Sequence, residues 1–313
     1  MTSSTRFILM GSIIVDVQMT VPYIPPSGHD VIASAIRYDA GGGFNVLSAV
    51  RRQGMRALYA GLIGQGPMGA RIQDSARQEE IALLHQPRPD QDTGCVITLL
   101  EPDGQRTFVT SPGLESRIKP ADLAGLKTGT GDIVYVSGYD LLYPVSGDSI
   151  MNFLSRMDDK VRLVFDPGPL ISDIPAHRLD FMRRRAWIIT ANRRELCHWA
   201  QDDDLAHAAR SVSANRPVNS LVVARNGSDG AWVTYAEQLL HVSSRPACVV
   251  DTTGAGDTHT GVLVALMAEG WPVIEAVQAA NIAASLSCEK LGPATCPPRP
   301  IIEQNLFGKG STS

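Results

Sequence analysis

Residues Asp251-Thr-Thr-Gly-Ala-Gly-Asp-Thr-His-Thr-Gly261 carry a glycine-rich turn straight into an apolar, helix-like segment, Val262 to Met267. Gly254, Ala255 and Gly256 have almost no side chain, so backbone N–H groups there can come close to a ligand. At a helix N-terminus such groups lack a partner within the helix, and the helix dipole favours negative charge. The turn therefore reads as a cradle for a phosphate or an oxyanion. Two carboxylates, Asp251 and Asp257, bracket it. Asp257, on the lip, is placed to accept a proton from a hydroxyl attacking a phosphoryl group. A plain N-cap, with Asp257 capping its own helix, is the competing reading. Paired small residues between two aspartates exceed what a cap needs.

Upstream of this turn, strand-like and helix-like segments alternate. Apolar strands are expected at Ile133–Val136, Val161–Phe165, Trp187–Thr190 and Ser220–Ala224, with helices at about 146–157, 176–185, 193–200 and 204–214. Earlier come a buried strand Phe7–Val15 broken by Gly11, a helix Phe44–Arg52, a strand Ala57–Ile63, a helix Met68–Glu80 and a short strand Ile81–Leu84. Helices near 258–269 and 272–288 complete the core, and the polar residues 308–313 read as a frayed tail. Such alternation predicts an α/β fold, a mostly parallel central sheet with helices on both faces. The whole chain, residues 1–313, reads as a single domain. Two irregular strand-like stretches, 17–39 and 93–111, interrupt the rhythm, the second around the hairpin turn Glu101-Pro-Asp-Gly-Gln105. They predict a small sheet projecting from the main domain. Ligands bind outside the carboxyl ends of the strands in such folds, so this sheet could close over a substrate as a lid. Exposed strand edges tend to be covered, which makes a homodimer through the lid edges an expectation.

Composition narrows the function classes. The chain is 44% hydrophobic and 19% charged, enough for an ample core. A net charge of −4 gives no reason to expect nucleic acid or an anionic membrane as the main partner. The first apolar run ends at Gly11 and Asp16, too early for a secretory signal, and no stretch has the apolar length of a membrane span. Five scattered cysteines with no CxxC or zinc spacing read as reduced thiols of a cytoplasmic protein.

Other motifs are less specific. Gly64-Gln-Gly66-Pro-Met-Gly69 matches a dinucleotide fingerprint between a strand and a helix. The acid required after the next strand is missing, because His85, Gln86 and Pro87 stand there. Tight packing of a strand-to-helix turn is the better reading. No P-loop occurs, which leaves the Gly254–Asp257 turn to handle any phosphate. Gly41, Gly42 and Gly43 lead into a second helix entry with Asn45 just beyond, and Asp16 closes the first strand; both suit hydroxyl-rich ligands or simple caps. Asn192 and Glu195 form either a capping box or a pair organising waters on Mg²⁺. Asn226 to Gly230 reads as a hairpin turn that could border a nucleotide base, and His259, two residues past Asp257, as structural or substrate-tuning.

Together these pieces resemble the ribokinase-like (PfkB) family of carbohydrate and nucleoside kinases over about residues 6–298. Asp251-Thr-Thr-Gly-Ala-Gly-Asp257 and the Gly41–Asn45 region carry the likeness, with Gly54 and Gly64 at the family's downstream spacing. The resemblance implies a three-layer α/β sandwich with a mostly parallel central sheet and a small β-sheet lid. It implies ATP-dependent phosphorylation of a hydroxymethyl group on a small sugar or sugar-like substrate. A nucleoside kinase of the same fold and a non-catalytic ligand-binding protein on this scaffold are the alternatives. Carried over, Asp257 would be the base, and the amides of Gly254, Ala255 and Gly256 the anion hole. Asp16, Gly42, Gly43 and Asn45 would hold the sugar. Asn192 and Glu195 would serve phosphate and Mg²⁺ (Glu195 through water), and Gly227 and Asn281 would border the adenine. Asp251 and Thr253 resemble the loop that holds an activating K⁺ in some members.

Overall fold

The computed structural model describes residues 5–217 and 219–308; the expected tail lies, beyond Gly308, outside the described residues. Thirteen strands form among them: β1 (Arg6–Leu9), β2 (Ile13–Thr20), β3 (Ala35–Gly42), β4 (Arg56–Tyr59), β5 (Ala82–Leu83), β6 (Cys95–Leu100), β7 (Arg106–Ser111), β8 (Ile133–Ser137), β9 (Arg162–Asp166), β10 (Ile188–Asn192), β11 (Leu221–Arg225), β12 (Ala231–Tyr235) and β13 (Gln238–Val242). Nine build the central sheet in the order β13-β12-β11-β10-β9-β8-β1-β4-β5. Every pairing from β11 to β5 is parallel; the β11–β12 and β12–β13 pairings are antiparallel, so β12 alone runs against the rest.

Helices cover both faces, and the strands show why. Phe7 and Leu9 of β1, Tyr135 of β8, Ile188 of β10 and Val223 of β11 point into one core with helices Gly43–Arg52, Ala255–Ala268 and Val273–Cys288. Their neighbours Ile8, Val134, Ile189 and Val222 point into the other, with helices Pro144–Leu154, Ala176–Arg185, Arg193–Ala200 and Leu205–Ser213. A strand buried on both faces reads as a continuous apolar run, which is the signal these segments gave in the sequence. Each fully buried Leu, Ile or Phe contributes about 1.5–3 kcal/mol relative to exposure.

The remaining four strands form a separate small sheet in the order β3-β2-β6-β7. It matches the expected projection, but its boundary falls elsewhere. The strand expected over Phe7–Val15 splits at Gly11 and Ser12, and its second half belongs to the small sheet. Gly11 has φ 143°, and a Cβ there would lie 2.0 Å from Asp140 Oδ2. Asp140 then accepts the Ser12 amide at 2.8 Å, pinning the chain where it changes sheets. Asp16 therefore stands on the small sheet, not at the end of a central strand. In register across that sheet lie Asp39, Asp16, Val96 and Thr110.

Two helices approach unusually closely. A Cβ on Gly261 would fall 2.5 Å from Ala49 Cβ, so helix Ala255–Ala268 lies directly on helix Gly43–Arg52. Gly261 is four residues past Asp257, and Ala49 four past Asn45, one helical turn in each case. The contact brings the two helix N-termini side by side.

Candidate active site

A cavity of about 660 Å³ lies along the carboxyl ends of the central strands and reaches the small sheet. Strand order lays out its walls. Asp16, Val96, Phe108 and Thr110 come from the small sheet, with Gly42 and Gly43 beside them. Ser137, Asp166, Asn192 and Arg225, the last residues of β8, β9, β10 and β11, follow across the floor. Gly227, in the turn leading to β12, and Asn281, on helix Val273–Cys288, close the far side.

The turn Gly254–Asp257 faces this cavity. Gly254 caps its helix in the left-handed region at φ 74°, and a Cβ there would meet the Pro293 carbonyl oxygen at 2.0 Å, so only glycine fits. Among the described residues the amides of Gly254, Gly256 and Asp257 have no partner in the chain. The Ala255 amide differs from expectation: it closes a turn on the Thr252 carbonyl at 3.2 Å and is withdrawn from any anion hole. A Cβ on Gly256 would come within 2.1 Å of Arg225 Nη1, which places this guanidinium directly against the turn.

Asp257 is half-buried and accepts the Asn45 side-chain amide at 2.9 Å. Burial pushes its carboxyl up to about 6; the Asn45 hydrogen bond and the Arg225 charge hold it down, and Asp166 pushes it up. A carboxylate so poised suits a general base working near neutral pH. Asn45 itself does not line the cavity as expected of a sugar ligand: it is 5% exposed and stands behind Asp257, with its Oδ1 unpartnered. Asp16 rises to about 7, mostly from burial and then from the Asp257 charge. Its carboxylate sits where a Cβ on Gly41 would be, 2.3 Å away, which explains a glycine at that position.

Asn192 and Glu195 form a complete capping box: Glu195 accepts from the Asn192 amide at 2.8 Å and from its side chain at 2.6 Å, and returns its own amide to Asn192 Oδ1 at 3.0 Å. Both also line the cavity, so the two readings of this pair coexist. Burial, then the Asp166 charge, raises Glu195 to about 7. Arg225 donates to Asp166 at 3.0 Å and stands 3.8 Å from Glu195, a buried cation shared by two acids. Asn281 ties its helix to β13 by donating to the Val242 carbonyl at 2.9 Å. His259 is 2% exposed; burial and the Arg225 charge push its ring down to about 3, too weak a base to compete with Asp257.

The fingerprint-like glycines have another occupant. Asp92 accepts the amides of Met68 at 3.0 Å and Gly69 at 2.8 Å, filling the helix entrance that a pyrophosphate would need.

Divalent and monovalent metals fare differently. No cluster of three or more acidic, histidine or cysteine side chains that could cage a metal exists among the described residues. Asp166 and Glu195, adjacent in the cavity, suit Mg²⁺, which keeps its waters and needs one or two carboxylates beside substrate phosphates. Asp251 and Thr253, by contrast, do not fit a potassium ion. Asp251 Oδ1 takes the Arg106 guanidinium at 2.6 Å and the Thr253 amide at 2.9 Å, while Oδ2 takes the Gly292 amide at 3.1 Å. A second cation about 4 Å from that guanidinium would be repelled by on the order of 4 kcal/mol at an effective dielectric near 20.

The model of the pfkB family of carbohydrate kinases matches residues 4–300. The chain belongs to that family. It is accordingly an ATP-dependent phosphotransferase with an alcohol acceptor. It is 29% identical over 288 residues to the uncharacterized sugar kinase YegV of Escherichia coli K12, covering 91% of this chain and 89% of that one. Among solved structures it resembles a fructokinase of Vibrio cholerae bound to fructose, ADP and calcium ion, with TM-score 0.79, 20% identity and coverage of 96% and 99%. An adenosine kinase of Sinorhizobium meliloti aligns with TM-score 0.80, 19% identity and coverage of 94% and 96%. Among the described residues no helix is long and apolar enough to cross a membrane.

Sequence reasoning missed Arg225, Asp166 and Arg106. The first two are the closing residues of β11 and β9, and strand ends at this edge project into the crevice. That rule could have found them; nothing local marks Arg106.

Proposed function

We propose that this kinase transfers the γ-phosphate of ATP to the hydroxymethyl group of a small sugar or sugar-like acceptor. One observation carries the reading: Asp257 stands at the mouth of a turn in which the amides of Gly254, Gly256 and Asp257 are free, in the same cavity as the small-sheet carboxylate Asp16. Asp16 and the backbone around Gly42 hold acceptor hydroxyls; the Gly43 amide is committed to the Ser12 carbonyl at 3.0 Å, and Asn45 acts through Asp257 rather than on the acceptor. Asp257 takes the proton of the attacking hydroxyl. The hydroxyl oxygen of the acceptor bonds to the γ-phosphorus as the bond to the bridging oxygen breaks and ADP departs. The amides of Gly254, Gly256 and Asp257, backed by Arg225, neutralise the developing charge. Asn192 and Glu195 face the phosphates, and Gly227 and Asn281 border the adenine. When bound, Mg²⁺ held through water by Glu195 and Asp166 supplies charge neutralisation at the phosphates.

A nucleoside acceptor is the second reading. Phe108, Tyr139 and Tyr143 line the cavity, and aromatic faces are what a base needs for stacking. ADP release measured over hexoses, pentoses and nucleosides decides between them. Turnover confined to nucleosides would replace the first reading with the second; no turnover with any acceptor would remove both. Self-association through the outer face of the small sheet, where Ile36, Tyr38 and Val109 are exposed, belongs to the same reading and is checked by sedimentation.

A further inference from the structure

We propose that Arg106 is a built-in cation for the phosphate-binding turn, supplied by the small sheet, so that this enzyme works without a monovalent metal ion. The inference rests on the reading of Gly254–Asp257 as the phosphate cradle.

Asp251 is the anchor of that turn. It is 2% exposed, and its two oxygens hold the Thr253 amide on one side and the Gly292 amide on the other. The next contact along is Gly254 against the Pro293 carbonyl. The segments 251–254 and 292–293 are thus clamped together, and the clamp depends on Asp251 staying ionised. A buried carboxylate needs a compensating charge. Here the Arg106 guanidinium supplies it, with Nη2 2.6 Å from Asp251 Oδ1 and Nη1 3.4 Å from Thr252 Oγ1. Burial opposes ionisation of Asp251, yet the Thr253 and Gly292 hydrogen bonds and the Arg106 charge together hold its carboxyl below the ordinary range.

The origin of this charge matters as much as its presence. Arg106 opens β7, pairing with Leu100 of β6, and alternation along the strand puts it on the same face as Phe108 and Thr110, which line the cavity. A dissolved ion would reach Asp251 independently of the small sheet. Arg106 reaches it only when β7 lies against the turn. The position of the acceptor-contacting sheet and the geometry of the phosphate cradle are therefore coupled through one ion pair, which makes Arg106 a positioning residue.

The test compares wild type, Arg106→Lys and Arg106→Met in potassium, sodium and tetramethylammonium chloride at equal ionic strength. Turnover with Mg²⁺-ATP, ADP affinity by calorimetry and thermal midpoint are read in each salt. Wild type and Arg106→Lys are expected to show no preference for potassium in any readout. Arg106→Met is expected to lose roughly ten-fold in ADP affinity in tetramethylammonium and to regain it in potassium, with a matching rise in midpoint. Potassium-specific activation or stabilisation of wild type overturns the proposal, as does an Arg106→Met variant equal to wild type in every salt. If Arg106→Met does not fold, the wild-type and Arg106→Lys arms decide alone. Absence of turnover with every acceptor in every salt is a failure of the phosphotransfer reading, and the midpoint arm still judges the role of Arg106.

Discussion

Asn45 donates its side-chain amide to Asp257 across 212 positions of sequence, at 2.9 Å. The bond joins the first turns of two helices, and the close packing of Gly261 on Ala49 one turn further along holds them together. Asn45 thereby stabilises the ionised form of Asp257, the proposed base, while sitting out of reach of bulk water.

Removing the charge of the base while keeping its shape isolates its role. Asp257→Asn is expected to fold and to bind ATP normally while kcat falls by about 10²–10⁴-fold. Calorimetry of nucleotide binding and steady-state turnover check this; near-normal turnover would remove Asp257 from the reaction.

The Asn45 bond makes a signed claim about pH. In wild type, kcat/KM should rise with pH and level off above the Asp257 midpoint of about 6. Asn45→Ala deletes a donor to the ionised carboxylate, so the midpoint should move upward. A midpoint that stays put or falls would show that Asn45 does not act on the base.

Helix spacing at Gly261 can be tested by one methyl group. Gly261→Ala has to displace Ala49 or the helix behind it and is expected to destabilise the fold by about 1–3 kcal/mol. It should also lower kcat, since the pair one turn above loses alignment. Urea denaturation gives the first quantity; a variant as stable as wild type would show that the helices separate freely.

Arg225 is the cation against the Gly254–Asp257 turn, the proposed phosphate cradle. Arg225→Met is expected to lower kcat by about 10²–10³-fold, the range seen when one transition-state donor is lost. Parallel unfolding curves separate that loss from the effect of leaving Asp166 and Glu195 without their partner.

Stability should carry the imprint of the crowded acids. Asp16 and Glu195 sit at about 7 and Asp140 at about 6, all raised mainly by burial. A raised carboxyl contributes stability that is full below its ordinary value near 4 and is lost as pH climbs through its folded value. Asp16→Asn removes one such loss, so its stability relative to wild type should improve between pH 4 and 8. Urea midpoints across that range would show it; a flat difference would mean that Asp16 ionises freely.

Much of this architecture is legible in the chain because parallel strands buried on both faces leave unbroken apolar runs, as Ile133–Val136 and Val161–Phe165 do. The β6–β7 hairpin is equally plain from its Pro-Asp-Gly turn. The change of sheets at Gly11 is not legible, because it is caused by Asp140, far along the chain. Helix Gly138–Leu142 and strand β13 are short and take their shape from tertiary contacts. The Gly254–Asp257 turn and the Asn192–Glu195 capping box are each continuous in sequence and could be named there. The engagement of Ala255, the retreat of Asn45 behind Asp257 and the bridge from Arg106 to Asp251 depend on strand order and helix packing, which local spacing does not encode.

On the proposed reading, the acceptor is shaped by side chains of the small sheet and activated by Asp257 at the start of helix Ala255–Ala268. Val96, Phe108 and Thr110 touch the cavity from the small sheet and make no hydrogen bond to Asp257, Arg225 or the 254–257 turn. On that reading, exchanges along the strip alter which alcohol is held and leave Asp257 and the 254–257 turn in place.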